Sequence, residues 1–291
     1  MINRNDQTKM ESGNVTMVKK IPWTSMAIFL VGISCSNTSQ KAAPESFIHA
    51  HAHNDYDHAR PLNDALDHGF TSVEADVILM HDSLYVAHDP EDIVIGHTLQ
   101  SLYLDPLYKL YKENGGKIYP DWPTVNLMID FKTDADSTYD ILRPLLDQYA
   151  DMLTRWIDGE KMTKAVTIIV SGNRPIETAK NEKSRMIGID GRPDDLNNNI
   201  SSSLYPWISD NWTNHFEWRG HGELPAAEQA KLDSMVKIAH ANGHLVRFWA
   251  TDSHYVPARQ NMWATLLDAG VDIINTDDLA GLAEFLRNRA N

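Results

Sequence analysis

Glu74 and Asp76 stand two residues apart in the run SVEADVIL, with His53 (in HNDY) upstream and His88 (in VAHD) downstream. Side chains two apart on a strand point to the same face. Two carboxylates together on a buried strand repel each other and lose hydration, and a bound cation removes both penalties. Asp130 repeats the anomaly inside the apolar run LMIDF. Three carboxylates from strand ends make a hard oxygen site suited to one divalent cation, Mg²⁺ or Ca²⁺. Glu74, Asp76 and Asp130 are the expected metal ligands. The blander alternative is a set of separate ion pairs, such as Asp130 with Lys132.

The chain has 13 histidines, so most must be ordinary. His53 and His88 differ by context, because each closes a predicted strand or hairpin beside the acids. A histidine pair across a metal-bound phosphate can serve as base and acid. Asp55 or Asp89 could orient one imidazole through its ring N–H. His51 shares a face with His53 and is its rival. Lys132 lies two beyond Asp130 on the same face, where an ammonium can bind a phosphate oxygen. Asn54 and Trp249 complete the expected substrate-binding set. Trp249 ends VRFWATD at a predicted rim, with core packing as its alternative. Arg247 shares its face and could bind substrate or an internal acid. Asn275, Thr276 and Asp277 end the last strand, and Asp277 reads equally as helix cap or site residue.

These residues need strands to carry them. Short apolar runs at Phe47 to Ala50, Thr71 to Leu79, Asn126 to Phe131, Val166 to Val170, Arg185 to Ile189, Trp207 to Asp210, Leu245 to Ala250 and Asp272 to Thr276 predict eight strands. A further run at Leu84 to Ala87 follows the polar turn His81-Asp82-Ser83 and predicts a hairpin. Helical spacing appears at Leu62 to His68, Tyr139 to Leu153, Ala226 to Ala241, Met262 to Ala269 and Leu279 to Arg289. Gly69, Asn242-Gly243 and Gly270 provide stops, and Asp277 or Asp278 a cap. Repeated strand–helix alternation implies a parallel sheet. Eight such units fit an α/β fold of the closed (β/α)8 TIM barrel type, whose functional residues gather at the C-terminal ends of the strands. An open doubly wound sheet would usually carry a glycine-rich loop after its first strand, and none is present.

Asp plus Glu number 40 against 26 Lys plus Arg, a formal net charge of −14. With no basic run to offset it, such a surface repels nucleic-acid phosphates, so no nucleic-acid partner is expected. The single cysteine, Cys35, excludes an intramolecular disulfide and a cysteine-based zinc site.

Lys19-Lys20 precede an apolar run from Ile21 to Ile33 and then Ser34-Cys35-Ser36, the layout of a secretory signal. The run falls short of the roughly 20 apolar residues of a membrane span. Residues 1–35 are expected to be a leader, with 1–16 a dispensable extension and Met17 the working start. Cys35 resembles the lipid-attachment site of bacterial lipoproteins. A simply cleaved signal and an uncleaved anchor are the alternatives. The protein is expected to be exported, touching membrane only through such an N-terminal anchor. Residues 36–45 read as a polar tether, and residues 46–291 as the folded domain.

A histidine, then E-x-D on the second strand, then H-D after a hairpin, then an acid-x-Lys strand resembles the glycerophosphodiester phosphodiesterases and their superfamily. That superfamily includes phosphatidylinositol-specific phospholipase C. The late run WATLLDAGVDIINTDD is similar to the family's closing segment, and HNDY with V-E-A-D-V resembles a phospholipase C-like subgroup. The resemblance spans roughly Phe47 to Leu286. It implies a TIM barrel with one divalent metal on Glu74, Asp76 and Asp130, His53 and His88 as the catalytic pair, and Lys132 on phosphate. The implied activity is hydrolysis of a phosphodiester small molecule or phospholipid head group. Asn54 replaces the arginine of the usual H-R-G start, Arg60-Pro61-Leu62-Asn63 replaces P-E-N-T, and Asp130 stands where glutamate is usual. Two other readings stay open. One is a non-catalytic surface lipoprotein holding a phospho-ligand or glycan on the same barrel. The other is a barrel enzyme of another class, such as a sugar-phosphate lyase or isomerase.

Overall fold

The computed structural model describes residues 46–122, 124–198 and 200–290, so the expected leader and tether lie outside the described residues. Among the described residues eight parallel strands close into a barrel. They are β1 (Phe47–Ala52), β2 (Phe70–Met80), β3 (Val125–Phe131), β4 (Val166–Gly172), β5 (Ile187–Gly191), β6 (Trp207–Asn211), β7 (Leu245–Trp249) and β8 (Ile273–Thr276). Pairing of β1 with both β2 and β8 completes the ring. The helices around it are α1 (Asn63–Asp67), α2 (Asp105–Glu113), α3 (Ala135–Asp147), α4 (Ile176–Asn181), α5 (Ala226–Ala241), α6 (Val256–Asp268) and α7 (Leu279–Ala290). The expected (β/α)8 TIM barrel is the fold.

The period of two along each strand sorts side chains across the barrel wall. Val73, Ala75, Val77, Leu127, Ile129, Phe131, Ile168 and Val170 face outward into one large core beneath the helices. The alternating positions face inward. There Met128, Ile169, Trp207 and Ile273 form a separate small apolar cluster inside the barrel. Above it the lumen turns polar, with His51, Glu74, Asp76, Asp190, Arg247 and Asn275 all buried. Buried polar groups must be paired or charge-compensated to be tolerated, so this lumen is the costly part of the fold.

Two local devices place the site. His81 and Asp82, at φ 48° and 47°, make a two-residue turn between β2 and the hairpin strand Ser83–Val86. Two successive positive φ values match the right-handed twist of the flanking strands. The hairpin folds back over the end of β2, and Ala87 N–H donates to the Asp76 carbonyl at 3.2 Å. That delivers His88 to Asp76. At the seam, Ala52 pairs with Thr276, and His53 N–H donates to the Thr276 carbonyl at 3.1 Å.

Several element boundaries differ from expectation. The spacing at Tyr139 to Leu153 predicts a helix there, but α3 starts earlier because the Asp134 side chain caps it at Ser137 N–H, 3.0 Å. It ends earlier because Leu153 is drawn into a bridge with Val166. The sequence reading assigns nothing to the α2 region. Pro106 in its first turn is compatible with a helix start, and Leu107 is the residue that α2 buries. A small three-stranded antiparallel sheet of Arg155–Ile157, Glu160–Met162 and Ser184–Arg185 is likewise additional.

Candidate active site

Register brings the acids together. Asp76 on β2 lies directly beside Asp130 on β3, and Glu74 beside Met128. Glu74, Asp76 and Asp130 each offer an oxygen, and these three atoms lie within 4.8 Å of one another. Gly172 of β4 makes room for the third: a Cβ there would lie 2.2 Å from Asp130 Oδ1.

Each carboxylate is held from one side. Glu74 Oε2 accepts from Arg247 Nη2 at 2.5 Å and lies 3.0 Å from His51 Nε2. Asp76 Oδ2 accepts from Tyr56 Oη at 2.7 Å, from His88 Nδ1 at 2.7 Å and from Lys132 Nζ at 3.0 Å. Asp130 Oδ1 lies 3.2 Å from Lys132 Nζ. Burial alone would raise the Glu74 pKa, but the Arg247 charge and the His51 hydrogen bond outweigh it and hold the carboxyl well below the usual range. Asp130 goes the other way. Burial raises its pKa, and the Asp76 and Glu74 charges add to that against the pull of Lys132.

The charge balance and donor chemistry fit a hard cation. Three carboxylates face two built-in positive charges, Lys132 and Arg247. Asp76 Oδ1 is buried without a hydrogen-bond partner. An orphaned, fully buried carboxylate oxygen is costly, and a divalent ion among oxygen ligands removes that cost.

The histidines separate into two kinds. His53 Nδ1 lies 2.7 Å from Asp277 Oδ1. Burial works against a charged His53 ring, yet hydrogen bonding to Asp277 and the nearby Glu74 charge leave its pKa raised. His88, more than half exposed, points Nδ1 at Asp76. His51 is fully enclosed, and burial together with the Arg247 charge lowers its pKa to about 4. His51 is thus enclosed behind Glu74, whereas the side chains of His53 and His88 are 24% and 57% exposed.

Asp55 and Asp89 do not orient the imidazoles; Asp277 and Asp76 do. Asp55 is buried and accepts instead from Leu62 N–H at 2.5 Å and Tyr103 Oη at 2.9 Å, while Asp89 is exposed. The α7 cap is Asp278, whose Oδ1 accepts from Gly281 N–H at 2.9 Å, which leaves Asp277 to His53. Arg247 binds internal groups, Glu74 and Asn275. Trp249 is 36% exposed at the end of β7, a rim position rather than core. Asn54 sits at φ 46° beside His53, with its side-chain amide 3.2 Å from Tyr56 Oη. Tyr56 is the last residue of the HNDY motif, but its spacing assigns it no role. Ser72 lies on the same strand face as Glu74 and Asp76, where the period of two marks it.

Residues 41–190 match the family model described as the AIM6-like phosphodiesterase domain. The chain belongs to this family. Residues 246–280 match the glycerophosphoryl diester phosphodiesterase family, so the phosphodiesterase superfamily is recognised at both ends of the barrel. Among relatives of the AIM6-like family, the Altered inheritance of mitochondria protein 6 homolog of Arthroderma benhamiae is 30% identical over 262 residues, covering 80% of this chain and 82% of that one. Altered inheritance of mitochondria protein 6 of Eremothecium gossypii is 30% identical over 271 residues, covering 81% and 68%. A calcium-dependent phosphoinositol-specific phospholipase C from a Pseudomonas species superposes with a TM-score of 0.51 at 12% identity, covering 80% of this chain and 89% of that one. At that identity the likeness is one of fold.

Proposed function

We propose that this AIM6-like chain is a metal-dependent phosphodiester hydrolase acting on a glycerophosphodiester or phospholipid head group, with His53 and His88 as its proton-transfer pair. One observation carries the reading. Each imidazole is held through Nδ1 by a carboxylate, His53 by Asp277 and His88 by Asp76, and Asp76 is itself one of the clustered acids. That arrangement leaves Nε2 of each ring to exchange a proton with substrate. A binding site alone has no use for two oriented imidazoles.

Glu74, Asp76 and Asp130 would hold a divalent ion, which supplies Lewis-acid polarisation of a phosphoryl oxygen when bound. Lys132, at the mouth beside Asp76 and Asp130, adds a positive charge where phosphoryl negative charge accumulates. One imidazole takes the proton of the attacking hydroxyl, and the other gives a proton to the leaving oxygen. Where the substrate offers a neighbouring hydroxyl, attack yields a cyclic phosphate that water then opens. Asn54, just after β1, and Trp249, at the end of β7, would contact the alcohol portions. The lysine-led apolar run before Cys35 supports export, with lipid attachment at that cysteine.

The test is turnover of an aryl phosphodiester and a glycerophosphodiester panel, with and without chelator. His53→Ala and His88→Ala should each lose about 10²- to 10⁴-fold. Chelation should abolish activity, and Mg²⁺ or Ca²⁺ should restore it. Near-normal turnover in both alanine variants would reject the assignment, and a wild-type protein inert on every diester would favour the binding alternative.

A further inference from the structure

His51 is the histidine that the proposed chemistry leaves unused. It is wholly buried, with Nδ1 2.6 Å from Ser72 Oγ and Nε2 3.0 Å from Glu74 Oε2. Trp207 packs edge-on against its ring at 6.0 Å between centroids. An ionised carboxylate only accepts, so Nε2 must carry the ring proton. Nδ1 is then an acceptor, and the Ser72 hydroxyl is its donor. A directed chain runs from Ser72 to His51 to Glu74.

Glu74 Oε2 is thereby fixed between two donors, His51 Nε2 at 3.0 Å and Arg247 Nη2 at 2.5 Å. The oxygen left over, Oε1, is the one Glu74 can offer to a cation. Arg247 already offsets part of the negative charge that a cation needs. His51 Nε2, buried and 3.0 Å from Glu74 Oε2, supplies direction, which is the use of an outer-shell donor behind a metal-binding carboxylate.

We infer that His51 is a positioning residue for Glu74, with its tautomer set by Ser72, and that this pair tunes divalent-cation affinity without touching cation or substrate. The inference rests on the cation reading given above.

The experiment is calorimetric titration of Ca²⁺ and Mg²⁺ into the full chain and into Ser72→Ala, His51→Phe and His51→Gln, with melting temperatures taken in chelator. Ser72→Ala and His51→Phe should bind roughly 10- to 100-fold more weakly. His51→Gln, whose amide can donate to the same oxygen, should recover part of the loss. Ring-nitrogen NMR of the wild type should report His51 protonated on Nε2. Ser72→Ala removes one hydroxyl, so it decides the matter even if His51→Phe fails to fold. Wild-type cation binding with Ser72→Ala within twofold of it overturns the inference and leaves the cation reading standing. A proton found on Nδ1 does the same. A wild-type chain that binds neither ion overturns both.

Discussion

His53 Nδ1 lies 2.7 Å from Asp277 Oδ1, although the two residues are 224 positions apart in the chain. The barrel seam makes the contact: β1 and β8 are neighbours, and both side chains leave the ends of those strands. Asp277 does to His53 what Asp76 does to His88, but from a far more exposed position.

Asp277→Asn should therefore shift the pH–rate profile. Burial opposes the charged ring, and the Asp277 hydrogen bond is the strongest influence raising the His53 pKa above its ordinary value. Replacing the carboxylate with an amide lowers it. If His53 acts as the acid, the alkaline limb moves to lower pH; if it acts as the base, the acidic limb does. Either way, one limb moves acidward. The pair's contribution to stability is present below the ordinary histidine pKa and is lost as pH rises through the folded value. Profiles that superimpose would remove Asp277 from the mechanism.

The strands of this fold were legible because their apolar runs are short, β-branched and bounded by turns. Glu74, Asp76 and Asp130 were legible because carboxylates inside such runs are anomalies. The partners were harder. Whether Arg247 reaches outward to substrate or inward to Glu74 depends on barrel register, which periodicity does not encode. Tyr56 enters the site from a single 3₁₀ turn, Asp55–Asp57, and Asp277 from the residue after β8, where no strand period applies. Asp55 looked like an imidazole partner because it is near His53 in sequence, but the chain turns there, and its carboxylate points back to Leu62 N–H.

Asp55→Asn should stabilise the protein at alkaline pH. Burial pushes the Asp55 pKa up to about 6, against the hydrogen bonds from Leu62 and Tyr103. A carboxyl raised in the folded state favours folding at low pH, and that advantage disappears as pH climbs through the folded value. From the ordinary 3.8 to about 6, the cost of ionising it at pH 8 is roughly 3 kcal/mol at most. Asparagine keeps an acceptor for both donors and cannot ionise. Melting curves at pH 3.5, pH 5 and pH 8 should show a gain for the variant that grows from the lowest pH to pH 8, because the penalty builds between the ordinary value and the folded one. A loss at all three values would mean that the carboxylate itself is needed.

Gly172→Ala should damage the acidic site more than its size suggests. Gly172 has φ +66°, a conformation that L side chains rarely adopt, and an added Cβ would come within 2.2 Å of Asp130 Oδ1 and 2.5 Å of the Phe131 carbonyl. The strain of a non-glycine residue there costs of order 1 kcal/mol. The displaced Asp130 carboxylate should cost cation affinity in addition. Calorimetry should show weaker Ca²⁺ or Mg²⁺ binding beyond what the fall in melting temperature accounts for. Unchanged cation affinity would place Asp130 outside the ligand set.

Lys132→Met separates the two readings of Lys132. Its ammonium sits 3.0 Å from Asp76 Oδ2 and 3.2 Å from Asp130 Oδ1. Burial would lower its pKa, but those two carboxylates raise it, so it is a firmly charged group. If it serves only as an internal counter-charge, an added divalent ion can replace it, and activity at saturating metal should be near normal. If it also meets the substrate's phosphoryl oxygens, activity should fall about 10²-fold even at saturating metal, the scale of losing one preorganised stabilising contact. In both cases the variant leaves Asp76 and Asp130 adjacent with less compensation. Its melting temperature should then rise more on metal addition than that of the wild type. The expected outcome is the larger thermal shift together with the activity loss. A larger shift with full activity would confine Lys132 to holding the acids together.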